Sequence, residues 1–295
     1  MSTTRRVGVI GVGAMGSRFA RRLAGEGYDV TVWNRTPARA EALAEHGIGR
    51  AESPRELAGA VDVLLSMVWD SEALEGVAHG PDGFLAGLRA GGVVVDLSTV
   101  EPEVSRSVAA EVAARGATML DAPVSGSLDA AEAGTVVIMA GGPAATVDAV
   151  RGVLDVLGRV VFHAGDANGA GLALKLAINL QVAIQAVGFG EGLALAESFG
   201  ISRQNAIEVM LQSVIASPML RYRVPFVTEP PEEVWANAEQ LRKDVGYALD
   251  RMRGHKAAGI AARDLLDRVI ADGRGDREAA ELIVEAAAPP EGVAR

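Results

Sequence analysis

Lys175 and Asn179 stand four residues apart in the segment GDANGAGLALKLAINL, so on a helix they share one face, a turn apart. An ammonium within an otherwise apolar stretch is costly. An amine placed there could pass a proton to or from a substrate oxygen while the neighbouring amide orients both partners. The ordinary alternative is a lysine that snorkels to water along its aliphatic stem. Composition weighs against that alternative. Of the 28 basic residues only Lys175, Lys243 and Lys256 are lysines, so arginine is the default surface cation here. Coding bias alone accounts for many Arg, Ala and Gly together, but a guanidinium is permanently charged, and a lysine in such a chain is a candidate for chemistry that arginine cannot do.

A second constellation lies at the start. RVGVIGVGAMG sets Gly11, Gly13 and Gly16 in the G-x-G-x-x-G spacing, between an apolar strand and a helix expected over Ala14 to Gly25. The first glycine permits a tight turn, the second lets backbone approach a pyrophosphate, and the third allows close contact of helix and strand. Val12, Ala14 and Met15 complete the loop, whose N–H groups and helix dipole suit an anion. About twenty residues on, a cofactor lacking a 2′-phosphate usually meets an Asp or Glu. VWNRT offers Asn34, Arg35 and Thr36 instead, one cation and two hydrogen-bonding side chains. This set suits a dianionic phosphate, so NADP(H) is expected to be preferred over NAD(H). The alternative for Arg35 is a solvated loop arginine.

Three further loops follow apolar runs: SMVWD with Met67 and Val68, DLSTVEP with Thr99, and DAPVSGS with Ser125, Gly126 and Ser127. In an open α/β sheet such loops lie at the carboxyl edge, where ligands bind. Hydroxyls and N–H groups there could hold a nicotinamide amide or a substrate carboxylate, although Ser, Gly and Pro serve plain turns equally well.

The elements that would position these residues alternate. RVGVIG, DVTVW, VDVLLSMV, GVVVDLS, TMLDAPV, TVVIMAG and RVVFHAG read as strands, with helices between most of them, including Ala38 to His46, Pro102 to Ala114 and Ala144 to Leu157. This alternation predicts a mainly parallel, doubly wound sheet. After Phe162 the strand signal stops. The expectation is a Rossmann-type α/β domain over 1–165 and an all-α domain over 166–295, joined by a long helix near 168–197. That helix is apolar on nearly every side, which predicts burial within protein and a partner subunit sharing its cover. Lys175, Asn179, Gln181, Gln185 and Glu191 interrupt it, and no flanking charge asymmetry supports a membrane span. Helical period continues over Ser202 to Leu211, Glu232 to Arg253, Lys256 to Ala271 and Arg277 to Ala287, before a tail, PPEGVAR, expected to fray.

The 295 residues suffice for about two domains. A net charge of −10 argues against nucleic-acid binding. The lack of cysteine removes disulfides, thiolate catalysis and Cys-ligated zinc, and no metal is expected. MSTTRRVGVIG has no long apolar run with a cleavage site, so a cytoplasmic setting is expected.

Taken together, GVIGVGAMG, the NRT after the second strand, DLSTVEP, DAPVSGS, GAGLALKLAIN, LRKDVGYAL and DGRGDREAAELI make the chain resemble the β-hydroxyacid dehydrogenases nearly end to end. Members of that family include 3-hydroxyisobutyrate dehydrogenase and the tartronate semialdehyde and glyoxylate/succinic semialdehyde reductases. The resemblance implies that Lys175 is the catalytic acid/base, that Asn179, Ser125 and Gly126 hold substrate, and that Thr99 and Lys243 lie by the nicotinamide. It also implies a homodimer or tetramer built through the long helix. Ser127 stands where the family usually has glycine, and Trp69 and Asp70 where many members have Leu and Pro, which bears on substrate shape. Asp244 is either an ion-pair partner that positions Lys243 or simply the next charge on a helix; the family favours the former.

The expected reaction moves hydride between a nicotinamide ring and the carbinol carbon of a small 3-hydroxy acid, giving a semialdehyde or oxo acid. A free lysine amine, with a pKa of about 10.4, is a poor base at neutral pH, and desolvation and a nearby cationic nicotinamide both disfavour the ammonium. Two rival readings are an imine reductase on the same scaffold, a family that generally lacks this lysine, and a non-catalytic NADP-binding protein. A 6-phosphogluconate dehydrogenase would need a longer helical domain and further basic residues.

Overall fold

The computed structural model describes residues 5–289. Its described strands are β1 (Arg6–Ile10), β2 (Asp29–Trp33), β3 (Gly49–Arg50), β4 (Val63–Ser66), β5 (Val93–Asp96), β6 (Thr118–Asp121), β7 (Val124–Ser125), β8 (Val136–Gly141) and β9 (Gly158–Gly165). They form one sheet in the order β3-β2-β1-β4-β5-β6-β8-β7, with β9 also paired to β8. The first six run parallel. The sheet is mainly parallel, as expected, with one reversed strand: β8 is antiparallel to both β6 and β7, and β9 runs parallel to β8. The seven apolar runs became β1, β2, β4, β5, β6, β8 and β9. The two-residue strands β3 and β7 have no run of their own and exist through their neighbours.

Helices α1 (Ala14–Gly25), α2 (Pro37–Glu41), α3 (Pro54–Ala60), α4 (Ser71–Ala78), α5 (Phe84–Gly87), α6 (Pro102–Ala113), α7 (Leu128–Glu132) and α8 (Ala144–Leu157) accompany the sheet. The pleat sends alternate side chains of β4 to opposite faces. Val63 and Leu65 join Phe19 and Leu23 of α1 and Val150 and Leu154 of α8. Leu64 joins Leu57 of α3, Leu74 of α4 and Val108 and Val112 of α6. The helix expected at Ala38 to His46 is split into α2 and a 3₁₀ turn at Ala44–His46, closed by Gly47 at φ 72°.

The rest is helical: α9 (Ala170–Ser198), α10 (Arg203–Gln212), α11 (Pro218–Arg223), α12 (Ala238–Arg251), α13 (Ala257–Ala271) and α14 (Glu281–Ala286). Ala186, Phe189 and Leu193 of α9 share a core with Leu241 and Val245 of α12, Leu266 of α13 and Ile283 of α14. The helix expected from Glu232 starts only at Ala238. Asn237 caps it by accepting the Gln240 N–H at 2.8 Å, and the buried Glu278 carboxylate holds the Trp235 and Ala236 N–H groups just before it.

The chain divides into two compact units between Lys175 and Leu176, within α9 rather than at 165/166. The first residues of α9 belong to the sheet unit because they are wedged against it: a Cβ at Gly171 would sit 2.0 Å from the Met139 carbonyl oxygen. By length and composition α9 could cross a membrane. One side of it builds the helical core, whereas Leu174, Ile178 and Leu195 are exposed, with Gln181, Gly188 and Glu191 exposed between Ile178 and Leu195. The tail, from residue 290 on, lies outside the described residues.

Candidate active site

The glycine loop is built as its spacing requires. Gly11 sits at φ 86°, and a Cβ on it would lie 2.3 Å from the Met67 carbonyl oxygen. At Gly16 the Cβ would strike the Gly11 carbonyl oxygen at 2.0 Å, so helix and turn touch there. Gly13 is different. Its φ is −72°, and the nearest atom to a Cβ would be Arg39 Nη1 at 4.0 Å, so neither backbone conformation nor packing within the protein demands glycine. A position kept bare without an internal reason fits a ligand that must approach the backbone closely. Gly13 is also the N-cap of α1 and brings no side-chain acceptor to the first-turn N–H groups. A dinucleotide pyrophosphate fits this cradle.

Asn34, Arg35 and Thr36 follow β2 beside that loop. The Asn34 carboxamide oxygen accepts the Val12 N–H at 3.0 Å and its nitrogen donates to the Thr36 carbonyl at 3.0 Å, so both ends brace the chain itself. Arg35 and Thr36 remain exposed. Sequence reasoning missed Arg39, on α2, whose guanidinium is the group nearest the bare face of Gly13. Its signal was a cation one helical turn beyond Arg35.

At the carboxyl edge the loops after β4 and β5 are tied together. The Ser66 hydroxyl donates to Asp96 Oδ1 at 2.8 Å, that oxygen also accepts the Ser98 N–H, and the Ser98 hydroxyl accepts the Val68 N–H at 2.8 Å. The Met67 N–H bonds the Ile10 carbonyl, which joins the bracing to the glycine loop. Half-buried Thr99 extends from this frame. The unusual residues nearby have local duties. Asp70 caps α4 through the Ala73 N–H at 2.8 Å, and Ser127 caps α7 through the Ala130 N–H at 3.1 Å. Trp69 stays 45% exposed, available to whatever binds at this edge. Ser125 lies in β7, and a Cβ at Gly126 would press within 3.0 Å of Val136 and Ala130.

Asp121, at the end of β6, is wholly buried. Its Oδ1 accepts the Gly169 N–H at 2.6 Å and its Oδ2 the Leu172 N–H at 2.9 Å. Burial pushes its carboxyl up to about 6, helped by the charge of Asp96 and opposed by those backbone N–H groups.

In the helical unit, the Asn179 amide donates to Asp244 Oδ2 at 2.6 Å, and Lys243 Nζ lies 2.8 Å from Asp244 Oδ1. Asp244 is nearly inaccessible, with 4% of its side chain exposed, and Lys243 also lies over the Tyr247 ring, 5.1 Å from its centroid. Asp244 is thus the ion-pair partner of Lys243 and the anchor of Asn179. Lys175, half-buried, precedes Asn179 by one turn on α9. Phe226 and Trp235 meet edge to face at 5.0 Å, with Tyr222 beside Trp235, and Met219 packs against the helical core. Arg221 is occupied by the Leu211 carbonyl.

The described residues hold no group of three or more His, Asp or Glu that could take a metal. Residues 6–165 match the NAD-binding domain of 6-phosphogluconate dehydrogenase, and residues 169–285 match the NAD-binding domain of NADP-dependent 3-hydroxyisobutyrate dehydrogenase. The protein belongs to the β-hydroxyacid dehydrogenase family. It is an NAD(P)-dependent oxidoreductase acting on CH–OH groups. A 3-hydroxyisobutyrate dehydrogenase of Pseudomonas aeruginosa is 35% identical over 88% of this chain and 90% of that protein. The chloroplastic glyoxylate/succinic semialdehyde reductase 2 of Arabidopsis thaliana is 32% identical over 83% and 68%. Among solved structures, Psf3 in complex with NADP+ and 2-OPP superimposes with a TM-score of 0.87 at 27% identity, over 94% of this chain and 99% of that one. A Myxococcus stipitatus imine reductase, at 23% identity and a TM-score of 0.67 over 96% and 99%, shares the fold.

Proposed function

We propose that this dehydrogenase interconverts a small 3-hydroxy acid and its semialdehyde or oxo acid, with NADP(H) preferred and Lys175 as general acid/base. The observation that carries the reading is an amide, Asn179, locked by a buried carboxylate one helical turn from an amine in an arginine-rich chain. The substrate class is supported by relatives described as 3-hydroxyisobutyrate dehydrogenase and, in Eubacterium barkeri, 2-(hydroxymethyl)glutarate dehydrogenase.

The nicotinamide cofactor, when bound, gives or takes the hydride. Lys175 takes the hydroxyl proton during oxidation and returns it during reduction. Asn179, its nitrogen engaged by Asp244, offers its oxygen to orient amine and substrate. Ser125 and the Gly126 N–H bind carboxylate oxygens. Arg35, Thr36 and Arg39 hold the 2′-phosphate, where an acid would repel it. The exposed apolar side chains Leu174, Ile178, Leu195 and Phe199, the last 79% exposed, support a homodimer that covers α9.

The test is a screen of the purified protein against three- to six-carbon hydroxy acids and semialdehydes with both cofactors. Turnover of a 3-hydroxy acid, faster with NADP+ than with NAD+, is the expected result. Turnover of cyclic imines alone would overturn it.

A further inference from the structure

We infer that Asp121 is a positioning residue for Lys175, setting the start of the helix that carries the amine. The inference rests on the reading of Lys175 as acid/base. Helices α3, α4, α7, α10, α11 and α12 are each capped by the side chain of the residue just before them. Helix α9 is built otherwise. The residue before it, Gly169 at φ 93°, has no side chain; the Ala170 N–H turns back to the Ala167 carbonyl, and of the N–H groups that a helix start leaves without internal partners, those of Gly169 and Leu172 are met from β6. The two oxygens of Asp121 take the Gly169 and Leu172 N–H groups, so the helix is gripped at two points three residues apart.

The surroundings leave this start little freedom. A Cβ at Gly141 would lie 2.6 Å from Asp121 Oδ1 and 2.7 Å from the Gly171 nitrogen, and the Asn168 amide donates to the Met119 carbonyl at 2.9 Å. Strands β6 and β8 thereby fix both depth and rotation of α9. Lys175 comes three residues after Leu172, on the same helix face, so a rotation at the cap displaces its amine. Ser125 comes four residues after Asp121 on the strand-to-loop passage. One carboxylate therefore references both the amine and the hydroxyl proposed to hold substrate. A local Ser or Asn would have stabilised the helix at lower desolvation cost, but from within the helix and not from the sheet.

The scarcity of lysine makes the test direct. Reductive ¹³C-methylation of the whole protein labels Lys175, Lys243, Lys256 and the terminal amine, and the Lys175 resonance is assigned by its loss in Lys175→Arg. Asp121→Asn, which keeps the shape but opposes an amide N–H₂ to one of the two donors, is expected to shift that resonance. It should also lower kcat by roughly 10–10²-fold with KM little changed, the scale of a misplaced catalytic group. Ser53→Ala, which removes the cap of α3, is a stability control that should change neither. An unmoved Lys175 resonance in Asp121→Asn would overturn the inference, as would kcat within twofold of the wild type. If the variant does not fold, the wild-type amide protons decide: Gly169 and Leu172 should resonate downfield of the other amides in the first turns of α9, and ordinary positions would overturn it. A wild type inert toward hydroxy acids would end the acid/base reading of Lys175, and the resonance would still decide the positioning.

Discussion

Asn179 and Asp244, 65 residues apart in sequence, are joined by a 2.6 Å hydrogen bond in which the amide donates to a carboxylate almost wholly out of water. With Lys243 on the other oxygen, the carboxylate settles the orientation of the amide and the place of the ammonium together. Its burial gives the first prediction. Asp244→Ala removes the buried carboxylate that holds both the Asn179 amide and Lys243, and breaking a buried pair of this kind costs about 3–5 kcal/mol. Urea unfolding should show that loss, and Asn179→Ala should cost much less.

Cofactor choice should depend on two arginines. Arg35→Ala is expected to weaken NADP(H) binding by about 1.5–3 kcal/mol, the range for hydrogen bonds to charged groups, and to leave NAD(H) nearly unchanged. Arg39→Ala should act in the same direction. Fluorescence titration with both cofactors checks this, and equal losses for the two would contradict the 2′-phosphate assignment.

Lys175→Ala should retain NADP(H) binding, because the proposed reading places the dinucleotide on the glycine loop and Arg35, while turnover falls by roughly 10²–10⁴. Lys175→Arg should fare no better, since a guanidinium cannot accept the hydroxyl proton. Steady-state rates at saturating NADP+ decide, and an Ala variant within tenfold of the wild type would exclude the mechanism. An imine reductase would be indifferent to the change.

Asp121 should leave a pH signature on stability. Its carboxyl is raised from 3.8 to about 6 in the folded protein, so the folded state binds this proton more tightly than the unfolded one. The stabilisation is complete below about pH 4 and is lost as pH rises through about 6, a contribution of roughly 3 kcal/mol across the window. Asp121→Asn removes it. The stability of the variant relative to the wild type should therefore rise between pH 4 and 7 in unfolding measurements, and a pH-independent difference would refute the shift.

Assembly is checked by mass. Sedimentation should give at least twice the 30.5 kDa of one chain, and Leu195→Asp should weaken the association by placing a charge at an exposed apolar position of α9.

Much of this was legible in sequence where a residue acts through its own neighbourhood. Gly11 and Gly16 announce themselves because turn and helix contact each demand glycine locally, and α1 and α8 appear over the residues their periodicity marked. Lys175 and Asn179 are related by helix geometry alone. What escaped depends on distant partners. The grip of Asp121 on Gly169 spans 48 residues, and no local pattern signals it. The type of Asn34 suits a ligand group; only the fold shows that its amide also spans Val12 and Thr36. Strands of two residues, such as β3 and β7, carry no period to read, and the reversal at β8 belongs to the sheet and not to its own residues.

The boundary between the two units falls at a peptide bond inside a helix, which constrains how such a chain can be rebuilt. A flexible linker tolerates a residue gained or lost, whereas each insertion in α9 turns everything after it by about 100° and advances it by about 1.5 Å. Hybrids joining the first half of this protein to the second half of a relative must therefore conserve the residue count from Gly169 to Asn179. A single added residue after Lys175 would rotate Asn179 off the lysine's face, so exchange of the two halves among relatives is confined to crossovers that keep helical phase.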